Sequence, residues 1–117
     1  MAGAVLALAL LASAQGAAPA HPPKASWRAF ADCAAAYQSN AAIADPNRTE
    51  SMKAMVSDTA RDYETAGIAR YRETTKGSAD AATKAVETRM RSQLRKYSTQ
   101  PRATVEHIID ACPQTDG

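Results

Sequence analysis

The sequence has very few of the residues that build metal, redox and thiol-based catalytic sites. Of 117 residues, two are cysteine and two are histidine. The spacings CxxC and CxxCH do not occur, which excludes thioredoxin-like redox chemistry and covalent c-type haem attachment. A zinc site needs about four ligands, and beyond the cysteines the chain offers only His21 and His107. We therefore expect no metal and no cofactor.

The parts of a recognisable active site are also missing. There is no Gly-rich phosphate loop and no clustered carboxylate pair with a base. Cys33 follows Asp32 and precedes three alanines, so no neighbouring cation activates its thiol. We predict no catalytic residue. The alternative is an enzyme or cofactor-binding protein whose site is assembled from scattered groups such as His107, Asp110, Tyr63 and Arg61.

Large apolar side chains are scarce after residue 20. That part of the chain has one leucine (Leu94), one phenylalanine (Phe30) and one tryptophan (Trp27), and alanine makes up much of the rest. Helices rich in alanine can approach closely, but each contact removes little apolar area from water. A covalent cross-link would therefore matter for stability. The charge balance, 14 basic against 12 acidic residues, does not indicate a nucleic-acid-binding protein.

The one long apolar stretch lies at the N-terminus. Residues 2–12 contain only Ala, Gly, Val and Leu, and small residues suited to signal cleavage follow at 12–14 and 18–20. We interpret residues 1–20 as a signal peptide, although no Lys or Arg precedes the apolar run; the alternative is a buried N-terminal helix. No later stretch approaches the roughly 20 apolar residues of a membrane span. The sequence thus predicts an exported protein, periplasmic or extracellular, with no transmembrane segment in the mature chain.

The rest of the chain has the spacing of helices. We expect a flexible lead at 21–25, a helical domain at 26–112 and a tail at 113–117. The fold class is all-α, a small antiparallel bundle of about four helices at 27–44, 50–75, 79–97 and a short segment before Pro113. Ser26 and Ser78 are predicted N-caps, and Gly77 is the predicted C-terminal glycine after the second helix. Before that helix, Asp45 is expected in a turn or as a cap, and Thr49 is the rival cap.

The two cysteines are predicted to pair. Cys33 lies at the border of the inward stripe of the first helix, and Cys112 lies in the middle of the stripe of the fourth. Two cysteines in a small exported protein most often form a disulfide. One bond would tie helix one to helix four. The alternative is two buried free thiols in a chain that is not exported.

Two apolar residues of the second helix fall off its predicted inward stripe. The members of that stripe are Met52, Met55, Val56, Thr59, Tyr63 and Ala66. Ile68 lies about 160° from Met52 around the helix and Tyr71 about 100°. Either Gly67 kinks or ends the helix and turns both side chains inward, or the two form an exposed interaction patch.

A second candidate surface is basic. Its members are Lys84, Arg89, Arg91 and Arg95, with Lys96 and Arg102 nearby, and only Glu87 opposes them within that span. Such a cluster suits contact with anionic lipid headgroups or an acidic partner. The alternative is a solvated helix face whose charges favour the helix dipole.

Small, two-cysteine, all-helical periplasmic proteins include acid-stress chaperones, and this chain is similar to them in size, expected compartment and helicity. The likeness is architectural: Trp27 stands six residues before Cys33, whereas their tryptophan stands close before the first cysteine, so no residue role is carried over. We expect a non-enzymatic interaction or chaperone-like module of the cell envelope. Its expected partner is an envelope protein, a membrane surface or a second copy, and not nucleic acid.

Overall fold

The computed structural model describes residues 24–43 and 45–115. They form four helices: α1 (Trp27–Ala41), α2 (Glu50–Thr75), α3 (Ala79–Tyr97) and α4 (Arg102–Asp110). These residues contain no strand, so the predicted all-α bundle is confirmed. The predicted signal segment 1–20 and residues 21–23 of the lead lie outside the described residues. No described helix is both long and apolar enough to cross a membrane.

Helix α1 is the centre of the bundle. It packs against each of the other three helices, and four of its alanines, Ala31, Ala34, Ala35 and Ala36, have no exposed surface. A helix buried around most of its circumference needs small side chains if three neighbours are to approach it. The ring of Phe30 packs against that of Tyr63 of α2 with centroids 6.2 Å apart, and Tyr63 also stacks on Tyr37 of α1 with centroids 5.5 Å apart.

The helix starts follow the sequence signals. Ser26, Thr49 and Ser78 each accept a hydrogen bond from the backbone N–H three residues later, at 3.1 Å. These bonds satisfy N–H groups that have no partner within the helix. Of the two rival caps before α2, Thr49 is therefore the cap, and Asp45 instead accepts the N–H of Asn47 in a turn.

Helix α1 ends at Ala41, three residues earlier than predicted. Arg48 of the following loop donates to the backbone carbonyl of Asn40 and to its side-chain oxygen, both at 2.8 Å. The guanidinium thereby occupies carbonyl and amide acceptors at the negative end of the helix. Sequence periodicity gives no sign of a cap supplied from the next loop.

Helix α2 ends at Thr75, as predicted, but the left-handed residue after it is not the predicted glycine. The left-handed position is Lys76, with φ 58°, and its N–H donates to the carbonyl of Arg72. Gly77 is the next residue and does not adopt a positive φ. A lysine in this conformation carries a steric cost that glycine would not.

The buried face of α2 is rotated from the predicted stripe. Its buried residues are Ala60, Tyr63 and Gly67, a face centred about 50° from Met52 at 100° per residue. Met52 and Met55 are 48% and 65% exposed, so placing them inward was wrong. The predicted stripe follows the large methionines, but α1 contacts α2 through alanine and glycine, which carry little weight in a hydrophobic pattern.

The disulfide prediction is confirmed. Cys33 and Cys112 are bonded, with their Cα atoms 6.0 Å apart, and no free cysteine remains. Cys112 lies just after α4, which ends at Asp110. The hydroxyl of Tyr63 donates to the carbonyl of Pro113 at 2.6 Å, so a second bond holds the same segment against α2.

Candidate functional site

The scattered residues of the enzyme alternative lie in different surroundings in the structure. Tyr63 is buried and donates to Pro113, and its pKa is raised because burial disfavours the phenolate and Tyr37 lies beside it. Arg61 is exposed and pairs with Asp58, while His107 and Asp110 lie exposed on α4. Within 24–43 and 45–115, no hydrogen bond or ion pair joins any two of the four. The same residues contain no cluster of three His, Cys, Asp or Glu suited to a metal.

Ile68 and Tyr71 are both half-buried. Ile68 packs against the core cluster around Phe30, and the ring of Tyr71 meets that of Trp27 edge-on, with centroids 5.1 Å apart. Helix α2 runs unbroken through Gly67 to Thr75. The side chains reach the core because the buried face of α2 is itself rotated toward them, rather than because Gly67 ends the helix. An interaction through this pair stays a prediction.

The basic cluster separates into inward and outward members. Arg89 faces α1, where its Nε and Nη2 donate to the two carboxylate oxygens of Asp32 at 2.7 and 2.9 Å. These bonds raise the pKa of Arg89 further above its ordinary value. Arg102 is bound by Asp45 and Glu106. Both guanidinium groups already have anionic partners, so Arg89 does not belong to the exposed basic surface.

The remaining three cations share one face of α3. Lys84, Arg91 and Arg95 fall within about 40° of one another around the helix, and all three are exposed. Their face is opposite the buried Val86 and Met90. We call Lys84, Arg91 and Arg95 the α3 basic face. In the described part of the chain, none of the three lies within 4 Å of a carboxylate oxygen.

Two acidic residues flank this face without neutralising it. Asp80 and Glu87 precede Lys84 and Arg91 by four residues, a spacing at which the sequence predicts helical ion pairs. Neither pair is formed in the structure. The C-terminal part of the face, beyond Glu87, is therefore the more strongly positive part.

A groove of about 650 Å³ adjoins the end of the α3 basic face. It lies between the last turns of α1 and α3 and the start of α4. Its apolar walls include Ile43, Leu94 and Val105, and Gln38, Arg95 and Arg102 are among its polar borders. Arg95 thus belongs to both features. We call this the α1–α3–α4 groove.

The sequence predicts the basic cluster, but it predicts neither the separation of that cluster into paired and unpaired cations nor the groove. The spacing of seven and four residues from Lys84 to Arg91 and Arg95 places these three on one face, and the same arithmetic sets Arg89 about 140° away from Lys84. That signal was present in the sequence. The groove had none, since it forms where three helix ends meet.

No protein-family model, curated protein or solved structure matches the chain.

Proposed function

We propose that the protein is an exported, non-enzymatic interaction module of the cell envelope that contacts an anionic membrane surface through the α3 basic face. The observation that carries this proposal is that Lys84, Arg91 and Arg95 project together from the side of α3 opposite its buried residues, without anionic partners among the described residues. Cations left unpaired on a convex helix face are available to lipid phosphates.

The strength expected of such a contact is modest. Each Lys or Arg near an anionic bilayer surface contributes about 1 kcal/mol, so three supply about 3 kcal/mol. This is enough for reversible attachment and too little for permanent anchoring. The interaction should weaken strongly with salt, because exposed charges are screened within about 10 Å at 0.1 M ionic strength.

A membrane surface fits the face better than a second copy of the chain. Two copies meeting through the same face would bring Lys84, Arg91 and Arg95 against their own counterparts, and like charges facing each other oppose association. The face is also an outward helix surface, with no apolar side chain among its three members to anchor a protein partner.

Export is supported by two features of different kinds. The apolar run at 2–12 has the composition of a signal peptide, and a disulfide is typical of oxidising compartments. Mass spectrometry of the chain recovered from the envelope fraction should give an N-terminus near residue 15 or 21. A cytoplasmic chain that begins at Met1 or Ala2 would contradict export.

The membrane contact is tested by co-sedimentation of the envelope-purified chain with vesicles of phosphatidylglycerol or of phosphatidylcholine. We expect binding to phosphatidylglycerol alone, reduced by added salt. The double variant Lys84→Gln, Arg91→Gln should bind about tenfold or more weakly, from the loss of two such charges. Glu87→Gln removes the flanking acid and should strengthen binding.

The matched control is Arg61→Gln, Arg72→Gln, which makes the same change in net charge at exposed positions of α2. It should bind nearly as well as the unaltered chain. Equal losses in the two double variants would mean that net charge alone is sensed, and equal binding to both lipids would contradict the proposal outright.

A further inference from the structure

The α1–α3–α4 groove combines apolar walls with one arginine, Arg95, that has no carboxylate partner among the described residues. Apolar surface comes from Ile43 just after α1, Leu94 near the end of α3 and Val105 near the start of α4. Its volume of about 650 Å³ lies within the roughly 300–1,000 Å³ usual for small-molecule sites. Val105 belongs to the core cluster that contains Ala35, Ala36 and Tyr97, and Leu94 packs against that cluster. The core therefore fixes the positions of these two apolar side chains.

The two cations at its border are not equivalent. Arg102 is bound by Asp45 and Glu106, at 3.2 and 3.0 Å, and these carboxylates neutralise it. Arg95 has no carboxylate within 4 Å among residues 24–43 and 45–115. A ligand anion would therefore meet one free guanidinium, that of Arg95, in a groove whose other lining includes apolar side chains.

From this arrangement we propose that the groove binds a free single-chain amphiphile with a carboxylate head, such as a fatty acid. The head accepts hydrogen bonds from the Arg95 guanidinium, which suits a carboxylate because its donors form a planar fork. The chain lies along Ile43, Leu94 and Val105. This inference does not rest on the membrane contact of α3, because a monomeric fatty acid reaches the groove from solution.

Charge and shape together favour this occupant over others. A neutral apolar molecule would leave Arg95 unused, and a simple inorganic anion would leave the apolar walls in contact with water. A protein partner generally needs about 800 Å² of surface on each side for a specific stable complex. The groove alone spans the junction of three helix ends, which suits one chain of a small molecule.

The test uses dodecanoate below its micellar concentration, with calorimetry for affinity and the assigned methyl NMR signals of Ile43, Leu94 and Val105 for location. The methyl signals of Ile68, which packs on the other core cluster, serve as the reference. We expect saturable shifts at the three groove residues only. Dodecanol, with the same chain and no charge, should bind about fivefold or more weakly, and acetate should not bind.

Variants separate the charged contact from the apolar contacts of the site. Arg95→Gln should weaken dodecanoate binding about fivefold or more, the scale of one lost charge-assisted hydrogen bond, while leaving dodecanol unchanged. Ile43→Gln should weaken both ligands. Arg61→Gln makes the same charge change outside the groove and should alter neither. Because Arg95 and Arg61 are exposed, both variants should fold.

Three outcomes would each overturn the inference. Equal affinity for dodecanoate and dodecanol would remove the role of Arg95, and shifts at Ile68 as large as those in the groove would indicate general detergent action. Binding only to phosphatidylglycerol vesicles, and not to monomeric dodecanoate, would leave the membrane contact standing without the groove. Binding of dodecanoate by Lys84→Gln, Arg91→Gln, which has lost vesicle binding, would show that the two sites are separate.

Discussion

Arg89 and Asp32 form a bidentate ion pair that joins α3 to the central helix α1. The two N–O distances are 2.7 and 2.9 Å, and the side chains are 37% and 24% exposed. The fork geometry fixes the relative orientation of the two helices as well as their distance. It also explains why the exposed basic surface of α3 is narrower than the sequence cluster.

Replacing Arg89 should therefore affect folding rather than surface contacts. We expect Arg89→Ala to lower the free energy of unfolding by about 1 kcal/mol, since partial exposure screens the pair while Asp32 loses two hydrogen bonds. Arg91→Ala makes the same charge change on the outward face and should stay within about 0.5 kcal/mol of the unaltered protein. Urea denaturation measures both. Equal effects of the two variants would contradict the structural role of Arg89.

Acid stability should depend on Asp45. Its pKa lies below the ordinary value of 3.8 because it accepts the N–H of Asn47 and a hydrogen bond from Arg102. A carboxylate with a depressed pKa in the folded state contributes stability above pH 3.8, which is lost as pH falls below 3.8 toward the folded-state value. Asp45→Asn keeps the turn but cannot ionise.

Between about pH 5 and about pH 2.5 the unaltered chain should lose more stability than Asp45→Asn. Superimposable thermal-unfolding profiles of the two chains would exclude this contribution.

The methionines of α2 provide a test of the rotated buried face. Met52 and Met55 are exposed, whereas Met90 of α3 is 5% exposed within the core cluster around Phe30. Met52→Gln with Met55→Gln should leave the free energy of unfolding within about 0.5 kcal/mol. Met90→Gln buries an amide in the core and should cost about 2 kcal/mol or more. Chemical denaturation of the two variants measures the difference, and strong destabilisation by the Met52 and Met55 changes would restore the predicted stripe.

Fold class and cross-link could be predicted because their signals are local or compositional. Ser26 and Ser78 mark two helix starts by residue type, and Cys33 and Cys112 had few chemical alternatives to pairing. The end of α1 was predicted less accurately, because it is capped by Arg48 from the next loop. The end of α2 at Thr75 was predicted, but the left-handed residue after it is Lys76 rather than the adjacent Gly77.

The candidate site was less accessible to sequence reasoning for a physical reason. Whether a cation is free depends on what the neighbouring helix presents, and Asp32 is 57 residues from Arg89. The burial of Ile68 and Tyr71 likewise follows from close packing at Gly67, which has no side chain to appear in a hydrophobic pattern. The sequence alone does predict that Lys84, Arg91 and Arg95 share one face of α3, because their spacing is that of a single helix face.

Gly67 should accept alanine. A Cβ atom there would lie 3.4 Å from Phe30 Cβ, 3.5 Å from the Trp27 carbonyl oxygen and 3.6 Å from Val86 Cγ1, which are ordinary contact distances. Alanine also restricts the unfolded chain, so Gly67→Ala should stabilise the protein by about 0.5–1 kcal/mol. Gly67→Leu exceeds the available space and should destabilise it. Thermal unfolding tests both, and a lower melting temperature for Gly67→Ala would show that α1 and α2 require glycine at this contact.

The disulfide should dominate the stability of α4 and its attachment to α1. Cys33 and Cys112 are 79 residues apart, and closing such a loop is worth about 4 kcal/mol in the chain-entropy model. A domain of this size has a total stability of roughly 5–14 kcal/mol, and 1 kcal/mol shifts its melting temperature by about 4–8 °C. Reduction should therefore lower the melting temperature by at least about 10 °C.

Amide exchange should accelerate first in α4, because it packs mainly on α1 and has one buried residue, Val105. The double variant Cys33→Ser, Cys112→Ser is the control: its stability should match that of the reduced protein and should not respond to dithiothreitol. Two titratable thiols per chain in protein from an oxidising compartment would contradict the bond, and full protection of α4 after reduction would show that helix packing alone holds it in place.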